Sequence, residues 1–233
     1  MAKIRAIDLF CGAGGSSWGA RSAGIEIVAG FDMWETARNA YRDNFPQARV
    51  YGGRIEDVDL AAVKGDIGEI DLILASPECT NHSPAKGNRP RCEASKATAF
   101  QVTRFAREFR PRWVVIENVV SMRKWSRYAE FLAELVNLGY QVSQQVLNAA
   151  DFGVPQRRRR LLILCDLDAQ PPKLVGTSRG WKSAAGIIDR NGTYRYSPLL
   201  TERRAAATVQ RANRALAALG AVAKPEVGVV LGR

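Results

Sequence analysis

"DLFCGAGGSSWGA", residues 8–20, sets Gly12, Gly14, Gly15 and Gly19 between a strand-like run and the start of a helix. Glycine lets a backbone approach a ligand closely, and a helix that starts there presents free N–H donors. In an open parallel sheet ligands sit at the carboxyl ends of the strands. The turn therefore marks a candidate binding edge, although a tight turn without a ligand reads much the same. The second strand strengthens the binding reading. Asp32 follows "EIVAGF" (26–31), 20 residues beyond Gly12, where an acid can hydrogen-bond a ribose diol. No P-loop lysine follows the glycines, which argues against ATP or GTP and for a neutral or cationic nucleoside ligand.

Outward from this turn, short apolar runs alternate with helix-period segments. "AIDLF" (6–10), "EIVAGF" (26–31), "IDLILA" (70–75), "WVVIE" (113–117) and "RLLILC" (160–165) read as buried parallel strands. Val102, Phe105 and Phe109 keep helical spacing, as do Tyr128, Phe131, Leu132 and Leu135, with Gly139 as a stop signal. This βαβ rhythm predicts an α/β fold built on a doubly wound, mostly parallel sheet. After Asp166 the texture changes. Residues 167–186, "LDAQPPKLVGTSRGWKSAAG", read as linker or loop. Residues 202–219 form an amphipathic pattern with Val209, Ala212, Leu216 and Leu219 on one face. The expected division is a first domain over 1–166 and a basic linker and helix over 167–233.

The chain has 233 residues, 46% of them hydrophobic, enough for one large α/β core. No run approaches the roughly 18 apolar residues of a membrane span, and "MAKIRAIDLF" carries no signal-like segment, so a cytoplasmic protein is expected. Cys11, Cys79, Cys92 and Cys165 are widely spaced without a C-x-x-C pair, which points to reduced thiols. The net charge of +11 is uneven. Residues 1–150 hold 19 basic and 17 acidic side chains, residues 151–233 hold 15 and 6. A basic C-terminal third suggests a polyanionic partner, or a solvated arginine-rich surface.

Three further motifs carry chemistry. "ASPECTNHS" (75–83) follows a strand directly and holds Cys79 together with the sole histidine, His82. Cys79 reads as a nucleophile, as a metal ligand with His82 and Cys92, or as a packing residue. The spacing C-x2-H-x9-C supplies three ligands and no second pair, so no metal is expected. "ENV" (117–119) ends another strand and brings Glu117 to the same sheet edge. "VPQRRRR" (154–160) sets four arginines before an apolar strand, where alternation sends Arg158 and Arg160 to one face and Arg157 and Arg159 to the other. A nucleophile, a carboxyl group and a guanidinium on one rim form a constellation that catalysis can use.

The ordered set "DLFCGAGG", "SPECTNHS", "ENV" and "VPQRRRR" resembles the cytosine-5 DNA methyltransferases over roughly residues 4–166. The resemblance implies a Rossmann-like domain that holds S-adenosylmethionine beside Phe10, Gly12, Gly14 and Asp32, with Ile55 as a further cofactor contact. It implies Cys79 as the nucleophile and Glu117 as the acid group on the cytosine ring. Gln156, Arg158 and Arg160 become the supporting polar residues, with Ser83, Gln156 and Arg158 toward the nucleic acid. The expected partner is double-stranded DNA, and a restriction-modification role stands beside phage and regulatory ones. Carbon-5 of cytosine is a poor nucleophile until a thiolate adds at carbon-6. Glu117 would then hydrogen-bond nitrogen-3, and Arg160 would contact the carbonyl oxygen and orient Glu117. A base inside a duplex is out of reach, so the resemblance also implies base flipping.

The chain departs from the family pattern at three places. Glu78, rather than proline, precedes Cys79, and a neighbouring carboxylate disfavours a thiolate. Arg54 and Ile55 stand where the family commonly places an acid near the adenine, with Asp57 as the expected substitute. The family's C-terminal motifs have no counterpart in residues 167–233. That predicts one part of a split enzyme whose second polypeptide supplies target recognition, or a truncated product. The alternatives are a catalytically silent DNA- or cofactor-binding partner and an RNA cytosine methyltransferase.

Overall fold

The computed structural model describes residues 3–78, 98–177 and 180–183. Seven strands form one sheet in the order β3-β2-β1-β4-β5-β7-β6. The strands are β1 (Arg5–Leu9), β2 (Glu26–Phe31), β3 (Arg49–Tyr51), β4 (Leu72–Ala75), β5 (Trp113–Asn118), β6 (Gln141–Asn148) and β7 (Arg159–Asp166). The helices are α1 (Gly15–Ser22), α2 (Glu35–Asn44), α3 (Leu60–Ile67), α4 (Phe100–Phe109) and α5 (Tyr128–Asn137). The described residues fall into two compact units, one comprising residues 3–78, 98–148 and 159–175 and the other residues 149–158, 176–177 and 180–183.

Strand β1 pairs in parallel with β2 on one side and β4 on the other. The sheet thus runs outward in both directions from β1 and β4, and that reversal creates a crevice at their carboxyl ends. The four N-terminal apolar runs read from the sequence are parallel strands. "RLLILC" is not: β7 runs antiparallel to both β5 and β6. A run of apolar residues reports burial on both faces and carries no direction.

Alternation divides the core. Ile7, Leu9, Ile73, Ala75, Val114 and Ile116 face α3, α4 and α5, against Phe105, Phe109, Phe131 and Leu135. Ala6, Leu72 and Leu74 face the other way, with Ala20 of α1 and Tyr41 of α2. On this second face Leu72, Trp113, Val115 and Leu164 line an apolar groove of about 270 Å³ that reaches Pro171 and Pro172. Gln145 of the edge strand β6 bonds the main chain of Pro172 and Leu174, so the segment after β7 folds back along the sheet. No helix among the described residues is long and apolar enough to cross a membrane. The amphipathic pattern at 202–219 lies outside the described residues.

Candidate functional site

The Gly-rich turn is held from both sides. Gly12 and Gly14 take φ values of 55° and 95°, open to glycine at little cost. A Cβ on Gly14 would also meet Phe45 at 2.3 Å and Tyr41 at 3.1 Å, so the turn lies directly on α2 and the residue after it. Phe10 takes φ 59°, a rare conformation for a bulky residue and one that collects at ligand sites. The backbone N–H of Gly12 donates to Asp32 Oδ2 at 2.9 Å, and that of Trp34 donates to Asp32 Oδ1 at 2.8 Å. Asp32 therefore joins the loops that follow β1 and β2, and each of its oxygens keeps a lone pair.

Beside it opens a cleft of about 470 Å³, a size that suits a nucleoside-bearing ligand. Its walls include Phe10, Phe31, Asp32, Met33, Tyr51 and Ile55. The rings of Phe31 and Tyr51 stack with centroids 4.7 Å apart. Burial pushes the Tyr51 hydroxyl up to about 12, helped by its hydrogen bond to Asp66, so it stays protonated. Of the residues assigned to the cofactor by resemblance, Phe10, Asp32 and Ile55 line this cleft. Gly12 adjoins it through Asp32, whereas Gly14 caps α1 and packs on α2. The acid beside Ile55 is Glu56, 3.4 Å from Arg54, and not the expected Asp57, which does not line the cleft. Apolar rings, an acid at the second strand and exposed turn backbone fit S-adenosylmethionine.

Two arginines fix the cleft's walls through main-chain oxygens, and the sequence reading missed both. Arg38 Nη1 donates to the carbonyls of Asp32 (3.0 Å) and Met33 (2.8 Å). Arg104 donates to those of Ile55 (2.6 Å) and Val58 (3.1 Å), and its Nε to Gln101 (2.7 Å). Beneath the turn lies a second unread feature. Asp8 is fully buried, and its Oδ2 accepts from the Ser17 hydroxyl at 2.6 Å and the Ser17 N–H at 3.2 Å. The Ser17 oxygen in turn lies 2.7 Å from the Tyr41 hydroxyl. Oδ1 of Asp8 has no partner. Burial raises this carboxyl to about 7, against the opposing Ser17 bonds and with help from Asp32.

At the other side of the switch point, Arg160 Nε contacts Glu117 Oε1 at 2.6 Å, both side chains partly buried. The strand begins at Arg159, so the expected alternation through Arg157 and Arg158 does not occur. Gln156, Arg157 and Arg158 precede the strand, in the second unit, and are exposed. Buried Asn118 donates from Nδ2 to the Pro77 carbonyl at 3.0 Å and accepts from the Val119 N–H at 2.8 Å. Together with the Ser76 N–H to Leu9 bond (3.0 Å), it fixes the chain that leads to Cys79. Cys79, His82, Ser83 and Cys92 lie outside the described residues. Glu78 lines the cleft. Cys11 and Cys165 are free and buried, and burial pushes both thiols up, Cys165 to about 12, as suits packing residues.

A family model for C-5 cytosine-specific DNA methylases matches residues 4–190. The chain belongs to the C-5 cytosine-specific DNA methylase family. Among curated members of that family, it is 35% identical over 180 residues to the type II methyltransferase M.AgeI of Thalassovita gelatinovora, covering 73% of this chain and 42% of that one. It is 31% identical over 179 residues to M.HindV of Haemophilus influenzae, covering 75% and 57%. The chain thus spans about half the length of these relatives. A prophage-encoded E. coli protein described as a DNA modification methyltransferase shares the fold, with a TM-score of 0.65, 21% identity and coverage of 85% and 56%. The S. pombe Dnmt2 methyltransferase does so with 0.58, 21%, 73% and 51%.

Proposed function

We propose that this chain is the catalytic portion of an enzyme that transfers a methyl group from S-adenosylmethionine to carbon-5 of cytosine in DNA, with Cys79 as the nucleophile. The observation that carries this reading is the Asn118–Pro77 hydrogen bond. It ties the segment entering Cys79 to the strand that bears Glu117, the two groups the chemistry needs on one base.

The cofactor supplies an electrophilic methyl group. Phe10, Asp32 and Ile55 would hold it in the cleft, with the Gly12 turn alongside. The Cys79 thiolate forms a bond to carbon-6 of the base, which pushes electron density to carbon-5 and makes it nucleophilic. Glu117, oriented by Arg160, stabilises charge developing in the ring through nitrogen-3. Once carbon-5 carries the methyl group, its proton passes to water, the electron pair of that C–H bond closes the 5,6 double bond, and the Cys79 thiolate leaves, restoring the aromatic ring. Gln156 and Arg158 are exposed beyond the strand that carries Arg160, and Ser83 lies in the segment after Cys79. All three suit contacts to the DNA strand, from which the target base is flipped.

A second polypeptide, or a further segment, that supplies target recognition is part of the proposal. The chain's coverage of about half of its relatives supports it, as does the apolar groove at Leu72, Trp113, Val115 and Leu164. The type II methyltransferases among its relatives support a restriction-modification role.

The test is transfer of labelled methyl to mixed-sequence duplex DNA, with tRNA as a competitor. Transfer lost in both Cys79→Ser and Glu117→Gln is the expected result. Transfer that persists in Cys79→Ser, or that tRNA abolishes, contradicts the reading.

A further inference from the structure

The second unit holds an exposed tryptophan that the proposed reaction does not use. Residues 149–158 run from a short 3-10 turn, Ala149–Phe152, into the arginine run, and Gly176, Trp181 and Lys182 lie against them. Gly176 sits so close that a Cβ there would lie 2.7 Å from the Asp151 carbonyl oxygen. Trp181 Nε1 donates to Asp151 Oδ1 at 2.8 Å. The Arg157 guanidinium stands 4.4 Å from the Trp181 ring centroid. With its N–H bonded and a cation at its ring, the indole is fixed, yet the residue remains 54% exposed. Phe152 and Val154 are exposed in the same unit.

An indole fixed in one orientation has little rotamer freedom left to lose on binding. An aromatic ring beside cations is how single strands are held without sequence preference, bases on the rings and phosphates at the arginines. The charge along the sequence favours a polyanion. Four arginines run from 157 to 160, Lys182 follows Trp181, and residues 151–233 carry 15 basic side chains against 6 acidic ones.

We propose that Trp181, braced by Asp151 and Arg157, is a stacking platform for an unpaired nucleotide of the DNA strand, with Arg157 meeting the adjoining phosphate. This rests on the reading that the chain acts on DNA and adds to it a ring, Trp181, that lies outside the family motifs.

The test measures binding of the full chain to a single-stranded deoxyoligonucleotide of about 12 nucleotides across a range of salt concentrations. Trp181→Ala is expected to weaken binding about tenfold with the salt dependence unchanged, because stacking releases no counterions. Trp181→Phe keeps a ring and loses the Asp151 bond, and is expected to stay within about threefold of wild type. Arg157→Gln is expected to lower the slope of log affinity against log salt by about 0.7. Equal losses in Trp181→Ala and Trp181→Phe, or no loss in Trp181→Ala, would overturn the platform while leaving the methyltransferase reading intact. A wild-type chain that binds neither single-stranded nor duplex DNA would overturn both.

Discussion

Arg160 Nε lies 2.6 Å from Glu117 Oε1, across the antiparallel pairing of β5 with β7. The pair is only partly buried, so its worth to stability is small, of order 1 kcal/mol or less. In the proposed reaction its worth is larger, because it would set the direction of the carboxyl group that meets the base. Arg160→Ala is expected to slow single-turnover methyl transfer about 10²- to 10³-fold while shifting the melting temperature little. Equal rates in the variant and the wild type would show that Glu117 needs no such partner.

Asn118 is a different kind of support. Its side chain is buried and bonded at both ends, to Pro77 and to Val119. Asn118→Ala leaves the Pro77 carbonyl without its donor, at an expected cost of about 1–3 kcal/mol. The loss should fall on adduct formation at Cys79 more than on cofactor affinity. Adduct yield and calorimetric cofactor binding, measured on one preparation, separate the two.

Arg104 should show the reverse pattern. It fixes the Ile55 and Val58 carbonyls at the cleft wall, so Arg104→Gln is expected to weaken S-adenosylhomocysteine binding about tenfold, the value of one or two charged hydrogen bonds. Arg5 supplies a control. It bonds the Ile67 and Glu69 carbonyls, at the amino end of β1. Arg5→Gln should lower the melting temperature and leave that affinity unchanged. Equal affinity losses in the two variants would contradict the assignment.

Asp8 makes stability depend on pH. Its carboxyl sits near 7 in the folded chain, against 3.8 when unperturbed. Between about pH 4 and 7 the unfolded chain has released a proton that the folded chain retains, so stability falls as pH rises through that window and is flat above it. The full effect is on the order of 4 kcal/mol. Asp8→Asn removes the charge and should remove this slope. Urea unfolding at pH 5 and pH 8 is expected to show wild type losing roughly 2 kcal/mol more than the variant. Parallel pH profiles would contradict the assignment.

The parts of this fold legible in the sequence are those that burial writes locally. β1, β2 and β4 are apolar because helices pack on both faces of the sheet there, β5 because Val114 and Ile116 lie under α4 and α5, and α4 and α5 show their buried stripes. β6 was unread because "QVSQQVLN" is an edge strand and mostly polar. The direction of β7 was misread because apolar residues look alike in either orientation. Within the site, Asp32 and Glu117 were legible from their places at strand ends. Asp8, Asn118, Arg38 and Arg104 were not. Beyond the local bonds of Arg104 to Gln101 and Asn118 to Val119, their partners are backbone oxygens or side chains from 5 to 49 residues away, and no local pattern records such a contact.

The proposed reaction stands or falls on the attack of Cys79 on cytosine. Incubating the chain with S-adenosylmethionine and duplex DNA containing 5-fluorocytosine, then measuring the intact mass, tests it most directly. A methyl group at carbon-5 with fluorine in place of the departing proton blocks release of the thiolate, so the account predicts a protein–DNA adduct that maps to Cys79 and is absent in Cys79→Ser. No adduct from a chain that demonstrably binds both cofactor and DNA, or an adduct that survives Cys79→Ser, would contradict it.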